Sequence, residues 1–153
     1  MKYLVDTNVI SELRKRHRAS PQVRAWFKER TPQELFLSVL TLGELRRGTE
    51  RIARRDPASA VALRSWLDST RTRFRDRIVD VDAEVADRWG RLGIPDPVPD
   101  IDGLLGATAL VHGMTVVTRN VHHIFRTGAL CLNPFEPAGD PEPTDHTEQP
   151  RSR

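Results

Sequence analysis

The 153-residue sequence has a single cysteine and no long hydrophobic run. One cysteine, Cys131, excludes an internal disulfide and a cysteine-rich zinc site. No stretch reaches the roughly 18 apolar residues that a transmembrane helix needs, so no membrane partner is expected. The chain enters an apolar segment directly after Met1 and Lys2, without the long apolar region of a secretory signal. We therefore expect a cytoplasmic protein.

Positive charge is concentrated in the first third of the chain. Residues 1–55 contain 13 Lys and Arg against 6 Asp and Glu, whereas residues 136–153 contain 2 against 5. A basic surface attracts a polyanion such as RNA. An ordinary solvated helix face has a similar composition, so charge alone does not establish nucleic-acid binding.

Short apolar segments alternate with amphipathic ones. The pattern predicts strands at 2–5, 34–40, 114–118 and 129–135, and a short strand or an extended link at 76–82. It predicts helices at 9–16, from Pro21, and at 42–54, 57–74, 83–92 and 102–113. This alternation indicates an α/β fold with a mainly parallel sheet covered on both faces. Trp26, Phe27 and Leu35 are predicted to lie mostly in its core, although a groove or a dimer interface stays open for them.

Two parts of the chain differ in composition. Residues 1–136 have enough apolar residues for one domain with a single core. Residues 137–153 are rich in proline and polar residues and have no large apolar side chain. We expect this tail to be disordered, because it cannot bury enough apolar surface to fold.

Polar side chains follow the predicted strands where each strand ends. Asp6 follows the first strand, Glu44 lies in the helix after the second, and Thr118 ends the fourth. Asp102 opens the helix after a proline-rich link. Ligand sites in open α/β sheets form beyond this edge of the sheet. Oxygen ligands of this kind suit Mg²⁺ or Mn²⁺ rather than zinc.

Each of these acids also has a purely structural interpretation. Asp6 can cap the helix that follows it. Thr41 and Glu44 fit the S/T-x-x-E capping box. Asp102, or Asp100 just before it, can cap the next helix. Spacing alone leaves both interpretations open.

Four sequence motifs occur in an order that resembles PIN-domain ribonucleases. They read LVDTNVISEL (4–13), LSVLTLGELRRG (37–48), DGLLGATALVHGMTVVTRN (102–120) and LNPF (132–135). The resemblance covers nearly all of residues 2–136 and is closest to the VapC toxins of bacterial toxin–antitoxin modules, in their FitB-like branch. It implies an α/β/α sandwich, usually dimeric, that cleaves RNA with Mg²⁺ or Mn²⁺. It also implies a VapB-like antitoxin as partner.

The resemblance assigns roles to particular residues. Asp6, Glu44 and Asp102 correspond to the catalytic acids, and Asp6 and Asp102 to the main metal ligands. Thr7, Asn8 and Thr118 would be supporting polar groups. A divalent ion held there would acidify water and neutralise phosphate charge. Relatives cut transfer RNA or ribosomal RNA.

Four basic residues lie within or directly after the motifs that contain Asp6 and Glu44. Contacts between such side chains and phosphates would position RNA without reading its sequence. The candidates are Arg14, Lys15, Arg46 and Arg47.

The sequence departs from the family pattern at two places. The family commonly has a fourth acid at or just after TRN, where this chain has Asn120 and, three residues on, His123. Asn120 still offers a carbonyl oxygen, and His123 could contact phosphate or water at the metal, or be a surface histidine in a loop. Asp100 stands where relatives usually have an apolar residue, and it could compensate for the missing acid.

Two other functions compete with this hypothesis. A phosphatase of the haloacid dehalogenase type needs a second aspartate two residues after the first, where this chain has Asn8. The stronger alternative is a catalytically silent PIN-like module that binds RNA or a partner without cleavage.

Overall fold

The structure, a computed structural model, describes residues 1–93 and 96–137. Within these residues, five strands are connected by segments that contain seven α-helices. The strands are β1 (Tyr3–Val5), β2 (Leu35–Ser38), β3 (Ile78–Val79), β4 (Thr115–Val117) and β5 (Cys131–Leu132). The helices are α1 (Thr7–Ile10), α2 (Pro21–Lys28), α3 (Val39–Ala53), α4 (Pro57–Arg73), α5 (Ala83–Gly90), α6 (Asp100–His112) and α7 (Val121–Phe125).

The strands form one sheet in the order β3-β2-β1-β4-β5, and every neighbouring pair is parallel. The central strand β1 is buried along its whole length, as expected for a parallel strand covered on both faces. It pairs with β2 on one side and with β4 on the other, so the strand order reverses beside it. That reversal is where ligand sites form in such sheets.

Alternating side chains of β1 enter two cores on opposite faces of the sheet. Tyr3 and Val5 pack with residues of the first four helices, including Val9 and Leu45. Leu4 packs on the other face with residues of α6 and α7. This alternation follows from the two-residue period of a strand. The predicted α/β/α sandwich is confirmed.

The aromatic residues near the amino terminus belong to the first core. Leu35 is buried there, and Trp26 and Phe27 are partly buried against it. The Trp26 ring packs edge-on against Tyr3, with ring centroids 5.1 Å apart. These three residues therefore support the core between α2 and the sheet.

Several predicted element boundaries are corrected by the structure. The helix expected at 9–16 is α1 followed by a 3-10 helix, Ser11–Arg18, interrupted at Arg16, which has a positive φ of 53°. The strand expected at 34–40 ends at Ser38, because the Ser38 hydroxyl accepts a hydrogen bond from the Leu40 amide and caps α3. The strand expected at 76–82 is only the two-residue β3.

Helix α6 approaches the chain after α7 very closely. A Cβ atom at Gly106 would overlap the side chain of Thr127, so only glycine permits this approach. The helix ends at Gly113, whose φ of 62° is the left-handed conformation expected of a glycine there. Gly106 thus permits the close packing of α6 on Thr127, and Gly113 ends the helix.

Within residues 1–93 and 96–137, every helix is too short or too polar to cross a lipid bilayer. The tail predicted over 137–153 lies, apart from Pro137, outside the described residues.

Candidate active site

Asp6 is the first residue beyond β1, and it is buried to 5% exposure. Its two carboxylate oxygens accept hydrogen bonds from different parts of the chain. Oδ1 accepts from the Thr7 amide at 2.7 Å, and Oδ2 accepts from the Thr118 hydroxyl at 2.6 Å and from Asn8 Nδ2 at 3.1 Å. Asp6 therefore does cap α1, and it is also the centre of a polar cluster at the edge of the sheet.

Glu44 joins this cluster through Thr7. The Thr7 hydroxyl donates a 2.7 Å hydrogen bond to Oε1 of Glu44, so one residue contacts both acids. The capping-box interpretation of Thr41 and Glu44 is wrong, because α3 begins at Val39 with Ser38 as its cap. The hydroxyl of Thr41 is instead buried without a hydrogen-bond partner among the described residues.

The residues after β4 complete one side of the cluster. Thr118 is fully buried, and its hydroxyl accepts a 2.9 Å hydrogen bond from the Asn120 amide while it donates to Asp6. The Arg119 amide donates to Asn8 Oδ1 at 3.0 Å. The loop after β4 is thereby fastened to the start of α1. The side chain of Asn120 is exposed.

Asp102 is the third residue of α6, and its side chain is 16% exposed. It is not a helix cap, because α6 begins at Asp100 without a side-chain cap. Its carboxylate oxygen Oδ2 lies 2.7 Å from Nδ1 of His123. His123 is thus not a loop histidine: it lies in α7, a short helix that the sequence pattern did not predict.

Asp100 does not lie on the same side of the helix as Asp102. Residues two positions apart in an α-helix point about 200° apart around its axis. Asp100 is exposed, and within the described residues its carboxylate makes no hydrogen bond to the acidic cluster. Its position at the start of α6 suits the helix dipole.

The three acids interact electrostatically. Burial raises the pKa of the Asp6 carboxyl above its ordinary value. The hydrogen bonds from Thr118 and Thr7 lower that pKa, whereas the charges of Glu44 and Asp102 raise it further. The charges of Glu44 and Asp102 therefore act on Asp6, and a positive charge between these acids would relieve the repulsion.

The donor set fits a hard divalent cation. The cluster offers carboxylate, hydroxyl and amide oxygens, the ligands that Mg²⁺ and Mn²⁺ prefer. In the described ranges, no group of three or more histidine, cysteine, aspartate or glutamate side chains is arranged to hold a metal ion. Mg²⁺ is commonly held by one or two carboxylates with water in its remaining positions, so a site for it does not require three protein ligands.

The four basic candidates differ in their surroundings. Lys15 donates to Glu12 at 2.7 Å, and Arg46 lies 3.7 Å from Glu50 on the side of α3 that faces α4. Over the described ranges, Arg14 and Arg47 are exposed and form no ion pair. Arg47 is three residues after Glu44 and shares its face of α3.

One buried acid was missed by sequence reasoning. Glu12 accepts hydrogen bonds from the Ser20 amide at 2.9 Å and from Lys15 Nζ at 2.7 Å. It therefore connects the 3-10 helix after α1 to the start of α2. A hint was present in the sequence, because Glu12 precedes the helix cap Ser20 in a segment otherwise rich in arginine.

Comparison with known proteins agrees with this architecture. A family model described as "PIN domain" matches residues 3–128. A VapC ribonuclease, Y4jK, of Sinorhizobium fredii is 31% identical over 154 residues, which cover 88% of this chain and 99% of that protein. Toxin FitB of Neisseria gonorrhoeae is 29% identical over 137 residues, which cover 86% of this chain and 97% of that protein.

A solved structure shares the fold. The crystal structure of FitAcB from Neisseria gonorrhoeae superposes with a TM-score of 0.79 at 29% identity. The match covers 87% of this chain and 98% of that one.

Proposed function

This chain belongs to the PIN-domain family, and we propose that it is the toxin of a toxin–antitoxin module, acting as a Mg²⁺- or Mn²⁺-dependent endoribonuclease. The observation that carries the proposal is the position of Asp6. It is buried at the edge of the sheet, and Thr7 donates hydrogen bonds both to it and to Glu44. The names of the relatives, a VapC ribonuclease and toxin FitB, support the same function.

The proposal gives each acid the role that its counterpart has in the PIN-domain motifs. Asp6 and Asp102 would hold the cation. When bound, a divalent cation acidifies water and neutralises charge on the phosphate. Glu44, held by the Thr7 hydroxyl, orients the attacking water. Water attacks phosphorus and displaces the 3′ oxygen of the preceding nucleotide, as the resemblance to PIN-domain ribonucleases implies. The products then carry 5′-phosphate and 3′-hydroxyl ends, and no covalent enzyme intermediate forms.

Supporting groups keep the acids in place. Thr118 and Asn8 donate to Oδ2 of Asp6, which leaves that carboxylate only small freedom to rotate. A preorganised site of this kind does not have to reorganise during the reaction. Arg14 and Arg47 would contact RNA phosphates on either side of the cluster, and transfer RNA or ribosomal RNA is the proposed substrate.

The partners follow from the same proposal. A VapB-like antitoxin would cover the site, and a positively charged side chain from it would relieve the repulsion among the acids as a cation does. A homodimer and a cytoplasmic location complete the proposal.

A silent PIN-like module is the second candidate. The observation that favours it is the missing fourth acid, because Asn120 stands where the family commonly has one and its side chain is exposed. Such a module would show no Mn²⁺-dependent rise in melting temperature.

One experiment separates the two candidates. Antitoxin-free protein is incubated with total RNA and Mn²⁺, the new 5′ ends are mapped, and the melting temperature is measured with Mn²⁺ and with EDTA. Discrete fragments with 5′-phosphate ends support the endoribonuclease. If no fragments form and Mn²⁺ does not change the melting temperature, the silent module is supported. A melting shift without fragments indicates a working metal site and an RNA target absent from the sample.

A further inference from the structure

The contact between Asp102 and His123 joins two helices at the edge of the candidate active site. Nδ1 of His123 lies 2.7 Å from Oδ2 of Asp102, although the two residues are 21 positions apart in the chain. The Asp102 side chain is 16% exposed and the His123 side chain 41% exposed. Asp102 is therefore largely enclosed, while His123 covers it from the solvent side.

The chemistry of the pair defines which atom donates. An ionised carboxylate can only accept hydrogen bonds, so Nδ1 of His123 must carry the proton. Oδ2 of Asp102 then accepts this hydrogen bond. A carboxylate held in this way has little freedom to rotate, so its oxygens keep a fixed direction.

We propose that His123 is a positioning residue that orients Asp102 for cation binding through the Nδ1–Oδ2 hydrogen bond. The inference rests on the proposed function and adds a residue outside the ligand set. Hydrogen-bond partners of metal ligands commonly change metal affinity by about 10- to 100-fold when removed. The alternative is an exposed polar pair that affects neither the cation nor the reaction.

Two substitutions at position 123 separate these roles. His123→Ala removes the donor. His123→Asn places an amide nitrogen near the position of Nδ1, so it can restore the hydrogen bond without the ring. His112→Ala is the matched control, because His112 is an exposed histidine of the same helix as Asp102, about 15 Å further along its axis.

The readout is the Mn²⁺ dissociation constant of each purified full-length protein, measured by the electron paramagnetic resonance signal of free Mn²⁺. Melting temperatures in EDTA verify that each variant folds. We expect His123→Ala to weaken Mn²⁺ binding by about tenfold or more. The Mn²⁺ dissociation constant of His123→Asn should stay within about threefold of that of the unmodified protein, since asparagine keeps a hydrogen-bond donor. The constant of His112→Ala should equal that of the unmodified protein.

Three results would overturn the inference. Unchanged or tighter Mn²⁺ binding by His123→Ala would show that the contact does not orient a ligand. Equal losses in His123→Ala and His123→Asn would show that the effect does not pass through the Nδ1 donor. Failure of the unmodified protein to bind Mn²⁺ would refute the proposed function as well, whereas the first two results leave that function intact.

Discussion

The Thr118 hydroxyl donates a 2.6 Å hydrogen bond to Oδ2 of Asp6. The two residues are 112 positions apart, and each is the first residue beyond a strand, β4 for Thr118 and β1 for Asp6. Because β1 and β4 are parallel neighbours with Val5 opposite Val117, their carboxyl ends bring these side chains together. A buried acid is thereby held at the point where the strand order reverses.

The raised pKa of Asp6 predicts a pH-dependent stability. The folded chain binds this proton more tightly than the unfolded chain does, so the resulting stabilisation is present below the ordinary aspartate pKa and is lost as the pH rises through the raised value. The Asp6→Asn variant has no carboxyl group at this position to titrate. Its free energy of unfolding relative to the unmodified chain should therefore increase between about pH 4 and about pH 7 in EDTA.

Urea unfolding of both proteins at the two pH values measures this difference. If the free energy of unfolding of Asp6→Asn relative to the unmodified chain stays constant or falls with pH, the pKa of Asp6 is not raised by burial and repulsion.

Glu44→Gln should impair cleavage without destabilising the fold. The Gln carbonyl can still accept the hydrogen bond from Thr7, but the negative charge that orients water is lost. We expect the cleavage rate to fall by about 100-fold, the scale of a lost acid–base group. Glu84→Gln is the control, because Glu84 is an exposed residue of α5. Equal rates for the two variants would remove Glu44 from the mechanism.

Thr41→Val should stabilise the protein. The Thr41 hydroxyl is buried without a partner in the described part of the chain, and valine has a similar shape without that polar group. The free energy of unfolding should rise by about 1 kcal/mol. Thr49→Val is the control, because the buried Thr49 hydroxyl donates to the Leu45 carbonyl at 2.9 Å. A larger gain in Thr49→Val than in Thr41→Val would contradict this assignment.

The basic residues should contribute unequally to RNA binding. Arg47→Ala and Arg14→Ala should each lower the slope of log affinity against log salt by about 1, as expected for a lost phosphate contact. Lys15→Ala and Arg46→Ala should lower it less, because these side chains pair with acids of the same chain. Titrations in an Asp102→Asn background measure binding without cleavage. Equal slopes for all four variants would show that Arg14 and Arg47 contribute no more to RNA binding than Lys15 and Arg46 do.

The sheet and the acids at its edge could be predicted from the sequence. Short apolar segments ending in Asp6 and Thr118 are local patterns, and parallel strands necessarily bring their carboxyl ends to one edge. The start of α3 could not be predicted, because LFLSVL continues as an apolar run while Ser38 ends the strand and caps the helix. This error kept the capping-box interpretation of Glu44 open.

Contacts between distant residues lie beyond such patterns. The pair of Asp102 and His123 depends on α7, a five-residue helix too short to give a periodic signal. Arg46 and Arg47 are neighbours in sequence, and only the packing of α3 on α4 shows that Arg46 is paired with acids. Tertiary packing, not local sequence, decides these roles.

Cleavage of total transfer RNA by the unmodified protein and by Asp102→Asn, in Mn²⁺ and in EDTA, tests whether the acidic cluster is the catalytic site. We expect discrete fragments that EDTA abolishes. The rate should be at least about 100-fold lower for Asp102→Asn, which loses a carboxylate ligand while it remains folded. Fragments formed equally by the variant, or in EDTA, would show that the cluster of Asp6, Glu44 and Asp102 is not the catalytic site.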